Sequence, residues 1–194
     1  MSQHSPSWWK QTRLFALNFI KHPTMLGSLI PSSSFLIRRL LSQIDWRTAR
    51  VIVEYGPGAG TITAHMLRRM HSDARIVVFE MNDDFVQFLR REFNDPRLHI
   101  VHGSAANVRD ELERLQLKNV DYIVSGIPYS TMPADVRESI LNTSRAILQK
   151  QGAFLVYQFS PAVKPYLQQV WNTVQEDWEP LNILPARIYR CTQG

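Results

Sequence analysis

The residues best suited to chemistry in this chain are Glu54, Gly56, Gly58 and Gly60, in the run Val51-Ile-Val-Glu-Tyr-Gly-Pro-Gly-Ala-Gly60, and Glu80, twenty residues after that run ends. Three alternating glycines let a backbone pass close beneath a ligand with no Cβ in the way. The helix they open would aim free N–H groups at that ligand. Glu80 closes a second apolar strand, Ile76-Val-Val-Phe79, where a ribose would offer two hydroxyls. Together these residues describe a pocket for an adenosine-bearing ligand. The plainer alternative, a strand-turn-helix whose glycines only make a tight turn, leaves both acids without a purpose.

Spacing and charge narrow the ligand. A dinucleotide site has the pattern Gly-x-Gly-x-x-Gly, which would need a third glycine at position 61, where this chain has Thr61. The pattern here is Glu54-x-Gly56-x-Gly58-x-Gly60. A carboxylate just before the first glycine would repel a pyrophosphate. It suits a ligand bearing an ammonium and a sulfonium, and S-adenosyl-L-methionine carries both.

These residues need a scaffold, and hydrophobic patterning supplies one. From Arg50 onward strands are expected at 50–54, 75–80, 98–102, 120–125 and 152–159, alternating with helices at 60–72, 83–93, 107–116 and 133–149. Asn82 or Asp83 can cap the second of these helices, and Pro133 is placed as an N1 proline. Alternation with short connections implies a doubly wound parallel sheet covered on both faces. Apolar and aromatic stretches near 170–178 and 181–191 could add a last antiparallel pair. In such sheets the ligand crosses the carboxyl ends of the strands.

Residues 1–44 differ from the rest. They carry Lys10, Arg13, Lys21, Arg38 and Arg39 and no acid, so the formal net charge of +5 belongs to this arm. From about Trp8 to Lys21 an amphipathic helix is expected, with Trp8, Trp9, Phe15 and Phe19 on the apolar side. It reads either as a lid packed on the domain or as a helix lying in a membrane interface. The loop Gly27–Ser34 ends in good N-cap residues, and a helix should follow to about Gln43. The division is an arm over 1–44 and a ligand-binding domain over 45–194.

Composition sets outer bounds. With 44% hydrophobic and 20% charged residues the chain is ordinary for a globular domain. No stretch approaches the ~18 apolar residues of a membrane span, and no signal peptide is evident. The single Cys191 excludes an internal disulfide, suits the cytoplasm and is expected to serve packing. The six histidines show no metal-ligand pattern, so no metal is expected, and His99 and His102 read as structural.

Two strand ends should complete the crevice. The third strand ends in His102-Gly103-Ser104-Ala105, with Ser104 where methyltransferases often place an acid that accepts from the adenine amino group. The fourth ends in Ser125-Gly126-Ile127-Pro128-Tyr129. Amino-methyltransferases acting on planar nitrogens usually have Asn or Asp, then Pro-Pro-Tyr or a close variant. Here the proline and aromatic are kept, but the polar side chain has become Gly126. A strand-ending turn is the plain alternative.

At this point the chain resembles a narrower group. Gly27-Ser-Leu-Ile-Pro-Ser-Ser33, the Glu-Tyr-Gly-Pro-Gly-Ala-Gly-Thr loop, Val124-Ser-Gly-Ile-Pro128 and Tyr157-Gln-Phe159 together look like bacterial phospholipid N-methyltransferases. These enzymes are themselves similar to ribosomal RNA adenine dimethyltransferases, which explains Ser34-Phe-Leu36. The RNA enzymes generally carry a further helical domain, for which no room is expected here. The resemblance implies a Rossmann-like class I methyltransferase with a seven-stranded, mostly parallel sheet, acting on phosphatidylethanolamine and its methylated intermediates. It also implies a cytoplasmic location at the inner membrane surface and no nucleic-acid partner.

Carried over residue by residue, Glu54, Gly56, Gly58 and Gly60 should hold the methionine side of S-adenosyl-L-methionine, with Ser32 and Ser33 closing over it. Glu80 should bind the ribose, Met81 should pack on the adenine, and Ser104 and Ala105 should edge it. Ser125 and Gly126 should offer carbonyls to the cofactor's amino group, and Tyr129 should face the methylated ammonium through its ring. Tyr157 or Phe159 could do the same, although strand packing is the simpler reading of both. Trp8, Trp9, Lys10, Arg13, Phe15, Phe19 and Lys21 should meet an anionic membrane, where each basic residue contributes about 1 kcal/mol. Two rival readings remain: an RNA adenine N6-methyltransferase, and a cofactor-binding module without catalysis.

Overall fold

A computed structural model describes residues 32–182 and 184–194. The expected amphipathic helix, with Trp8, Trp9, Lys10, Arg13, Phe15, Phe19 and Lys21, lies outside these residues, as do residues 27–31 of the loop after it.

The chain alternates as its patterning predicts. Helix α1 (Ser34–Leu41) precedes strand β1 (Val51–Tyr55), α2 (Thr61–Leu67), β2 (Arg75–Glu80), α3 (Asp83–Glu92) and β3 (Leu98–His102). A 3-10 turn at Ala105–Asn107 leads into α4 (Val108–Arg114), then β4 (Val120–Ser125), α5 (Ala134–Ile147) and β5 (Leu148–Gln158). After α6 (Lys164–Val170) the chain closes with β6 (Thr173–Glu179) and β7 (Ala186–Thr192).

The strands form one seven-stranded sheet in the order β3-β2-β1-β4-β5-β7-β6. The first five pair in parallel, and β7 runs antiparallel to both β5 and β6. This is the Rossmann-like class I methyltransferase arrangement. The order reverses between β1 and β4: the connection leaving β1 runs to one side of the sheet and that leaving β4 to the other, which leaves a crevice at their carboxyl ends.

Alternate residues of each central strand bury on opposite faces, because strand side chains have a period of two. Val53, Tyr55, Phe79, Ile123, Phe154 and Val156 meet α4, α5 and α6 on one face. Ile52, Val78, Val124, Leu155 and Ile188 meet α1 and α2 on the other. Helix α1, which patterning places in the arm, buries Leu36, Ile37, Leu40 and Leu41 in this second layer. Its Arg39 bonds Glu179 at 2.8 Å and Asp177 at 3.0 Å on β6. By these contacts α1 is part of the domain body.

Two caps are local and legible. Ser33 Oγ accepts from Leu36 N–H at the start of α1, and Asn82 Oδ1 accepts from Phe85 N–H at the start of α3. Pro133 sits one residue earlier than expected, at the N-cap of α5.

Candidate active site

The turn after β1 is built from backbone. Gly56, Gly58 and Gly60 have φ of 71°, 55° and 74°, conformations that cost other L-residues about 1–2 kcal/mol each. Gly56 N–H donates to Phe79 O at 2.9 Å, tying the turn to the end of β2. A Cβ on Gly60 would lie 2.6 Å from the Phe93 ring and 2.7 Å from Leu89 on α3. A Cβ on Gly56 would lie 2.8 Å from Ile127, beyond the end of β4. Neither position has room for a side chain.

Two carboxyl groups face this turn. Glu80 is 9% exposed at the tip of β2. Its Oε2 accepts from Gly58 N–H at 3.0 Å and its Oε1 from Asn82 N–H at 2.9 Å. Met81 N–H is a third backbone donor to this carboxylate, so of its four lone-pair sites one remains to accept from a ribose hydroxyl. Glu54 is more unusual, being only 1% exposed in the middle of the sheet. Thr63 Oγ1 on α2 donates to its Oε2 at 2.5 Å. Burial first, and the nearby Glu80 charge as well, push the Glu54 carboxyl up to about 8 against the pull of the Thr63 hydroxyl. Burial likewise raises Glu80, opposed by the backbone N–H groups of Asn82, Gly58 and Met81. A cation placed beside these acids would oppose both shifts and favour their ionised forms.

The remaining strand ends fall around the same crevice. Met81 is 69% exposed beside Glu80, a free apolar surface. Gly103 N–H donates to Glu80 O at 2.9 Å, holding the end of β3 against that of β2. Ser104 Oγ accepts from Ala106 N–H and so caps the 3-10 turn, while Ala105 is buried. Gly126 N–H donates to Tyr55 O at 3.1 Å, which joins the end of β4 to that of β1. Ser33 is tied down by its N–H, which donates to Asn182 Oδ1 at 2.8 Å.

One expected residue turns away. Tyr129 is 0% exposed and stands edge-on to Phe154 in the core, its hydroxyl 2.8 Å from Ser125 Oγ. The expectation that its ring faces a ligand is corrected: both its apolar ring and its hydroxyl find partners inside, so nothing drives it outwards. Ser125, also fully buried, spends its hydroxyl on this contact.

The crevice takes its aromatic residue from β5 instead. Tyr157 is half-buried, its hydroxyl is hydrogen-bonded with the Ser32 side chain, and its phenol is raised by burial and by the Glu54 and Glu80 charges. Thr63, Asn182 and Gln158 were not foreseen from sequence. Gln158 Nε2 donates to Ile127 O at 2.8 Å and fixes the loop after β4. A hydroxyl two residues into the helix after an acidic glycine turn could have suggested Thr63. Asn182, 149 residues from its partner Ser33, left no local signal.

Among the described residues no group of three or more His, Cys, Asp or Glu is arranged to hold a metal ion. Cys191 is buried, and burial pushes its thiol up, so it is held as a packing residue.

A doubly wound sheet ending in a glycine turn between two acids defines a class I methyltransferase, and its methyl donor is S-adenosyl-L-methionine. The residues present fit that donor: the glycines would leave a path for it, Glu80 would take a ribose hydroxyl, and Glu54 and Glu80 would meet its positive charge. The model of the family described as "Methyltransferase small domain" matches residues 26–179, and the chain belongs to that family. It is 33% identical over 180 residues to an ornithine lipid N-methyltransferase of Singulisphaera acidiphila, covering 92% of this chain and 94% of that protein. It is 28% identical over 96 residues to ribosomal RNA small subunit methyltransferase A of Mycoplasma capricolum subsp. capricolum, covering 48% of this chain and only 35% of that one. Among solved structures, precorrin-6y C5,15-methyltransferase of Geobacter metallireducens superposes with a TM-score of 0.66 at 15% identity, covering 82% of this chain and 88% of that one. A TehB-like SAM-dependent methyltransferase of Corynebacterium glutamicum gives 0.59 at 12% identity, covering 95% and 99%. At those identities the structures speak for the fold alone.

Proposed function

We propose that this methyltransferase acts on the amine of a phospholipid headgroup at an anionic membrane surface, taking phosphatidylethanolamine and its methylated intermediates. The observation that carries the reading is the acceptor side of the crevice. At the end of β4 stands Gly126, so no side chain there can accept from a planar base amine, and a half-buried tyrosine from β5 fills the space. An aromatic wall suits a cationic alkylammonium, which grows more apolar as methyl groups are added. The likeness to an ornithine lipid N-methyltransferase supports a lipid amine of this kind.

Bound in the crevice, S-adenosyl-L-methionine supplies a methyl group already activated on a sulfonium, leaving the protein to hold an amine in line with it. Glu54 and Glu80 draw the donor's positive charge to the β1–β2 side, and the glycine turn lets it lie close to the backbone. An aliphatic amine is mostly protonated at neutral pH. Burial beside a cation favours its neutral, nucleophilic form, because two like charges share the site poorly. The proton given up leaves to water or a headgroup phosphate oxygen.

No helix among the described residues is long and apolar enough to cross a membrane. The proposed membrane contact is the arm, through Trp8, Trp9, Lys10, Arg13, Phe15, Phe19 and Lys21, at the cytoplasmic face of the inner membrane. Removing residues 1–23 should abolish co-sedimentation with anionic vesicles, and unchanged co-sedimentation would refute this role.

Ornithine lipid is the second reading, favoured by the 33% identity; it too presents a primary amine on a flexible chain beside an acid group. A methyl-transfer assay with labelled donor, offering phosphatidylethanolamine vesicles, ornithine lipid vesicles and ribosomal RNA side by side, separates the possibilities. Label in phosphatidylethanolamine is expected. Label confined to ornithine lipid would move the headgroup, and label confined to RNA would end the lipid reading.

A further inference from the structure

Gly126 has an oddity that its backbone does not explain. The glycines with positive φ among the described residues are Gly56, Gly58, Gly60 and Gly194, so position 126 does not need glycine for its conformation. What excludes a side chain there is Tyr157. A Cβ on Gly126 would lie 2.1 Å from Tyr157 Oη, 2.4 Å from Cζ and 3.0 Å from Cε1. The phenol oxygen thus occupies the place of the first side-chain atom at the end of β4. Strand pairing puts it there: β4 and β5 run parallel with Ser125 opposite Val156, so Gly126 and Tyr157 are the next residues along.

That oxygen also has defined neighbours. Tyr157 is hydrogen-bonded with the Ser32 side chain and lies within the fields of Glu54 and Glu80. A phenol oxygen has two lone pairs and one proton. The Ser32 hydroxyl pulls the phenol's pKa down against burial, as a donor to its oxygen does, which leaves a second lone pair to accept from an N–H group entering the crevice.

We infer that Tyr157 is the residue that binds the acceptor amine, its oxygen accepting from the amine N–H in place of a side chain at position 126, and that Gly126 is required to admit it. The inference deepens the lipid-amine reading and rests on it. The pair acts as a specificity device. A phenol swung in from β5 leaves space for a narrow, flexible alkylamine and takes the position from which an amide would hold a planar base.

A double-mutant cycle on the full chain tests this, with three readouts: methyl transfer to phosphatidylethanolamine vesicles and to ornithine lipid vesicles, calorimetric affinity for S-adenosylhomocysteine, and thermal unfolding. Tyr157→Phe should lower kcat/KM for the lipid amine by about 10- to 100-fold, the loss of one hydrogen bond to a charged or developing-charge group. Its affinity for S-adenosylhomocysteine should stay within about twofold. Gly126→Ala should lose a similar factor in the wild-type background but nothing further beside Tyr157→Ala, where the Cβ has room. Wild-type activity in Tyr157→Phe, or an equal fall in cofactor affinity, overturns the inference and leaves the substrate reading standing. A wild-type chain that labels neither vesicle fails the substrate reading itself, and the inference with it.

Discussion

On the cofactor side of the crevice, Gly56, Gly58 and Gly60 are demanded by left-handed backbone conformations, whereas on the acceptor side Gly126 is demanded by a neighbouring side chain. The two sides also differ in charge. The first gathers the buried acids Glu54 and Glu80; the second offers a phenol and backbone groups. On the proposed reading the first side would serve one constant, cationic ligand through geometry that tolerates little change. The second can be altered through one or two side chains without disturbing the sheet, which is where a difference in substrate would be written.

The largest expected effect breaks the comparison at its glycines. Gly60→Ala must adopt a positive φ and also displace Phe93 and Leu89, costing about 3 kcal/mol. That should lower Tm by about 6–12 °C in a chain of this size. Gly126→Ala, strained only by Tyr157, should lower Tm by less than half as much. Equal losses in thermal unfolding would remove the distinction.

Glu54 should show opposite effects on stability and binding. Its carboxyl is raised to about 8 in the fold from an ordinary value of 4.5. Its contribution to stability is therefore fully present below pH 4.5 and is lost as pH rises through 8. Glu54→Gln should stabilise the ligand-free chain at pH 8.5 by on the order of 2 kcal/mol and gain little at pH 5. In the wild type, affinity for S-adenosyl-L-methionine should rise with pH as Glu54 ionises; in Glu54→Gln that component should vanish and affinity fall. Thermal melts and calorimetry at both pH values check the pair of signs.

Smaller effects follow from single contacts. Glu80→Ala removes the acceptor for Gly58 N–H as well as the proposed ribose contact, and should weaken cofactor binding by about tenfold or more. Thr63→Val removes the hydroxyl that donates to Glu54 and should cost about 1 kcal/mol, roughly fivefold in affinity. Neither should alter which amine is methylated; a changed product profile would blur the division between the two sides.

How much of this was legible follows the same division. Strands β2, β3 and β4 run to the residue where their patterns place them, because each is a short apolar run between turn signals. The turn after β1 and its two acids could be read for the same reason: the requirement is local. Helix α2 stops at Leu67 where patterning carried it to 72, because the Arg97 guanidinium donates to Leu67 O at 3.0 Å and to Met70 O and His71 O at 3.4 Å. A cap supplied from 30 residues away leaves no trace beside the helix. Helix α6 was missed although Pro165 lies in its first turn, the usual place for proline. Tyr129 and Tyr157 exchanged expected roles for a further reason. Tyr129 lies in the loop after β4 and Tyr157 near the end of β5, and only packing against Phe154 or proximity to Gly126 decides which one turns inwards.

On the proposed reading the two buried carboxyl groups of Glu54 and Glu80 make this crevice a receptor for a positively charged nucleoside. Calorimetry of S-adenosyl-L-methionine with the wild-type chain and with the Glu54→Gln and Glu80→Ala variants measures that directly. One molecule should bind per wild-type chain, bind more weakly to each variant, and resist displacement by NAD. No heat of binding, an affinity indifferent to both substitutions, or ready displacement by NAD would contradict it.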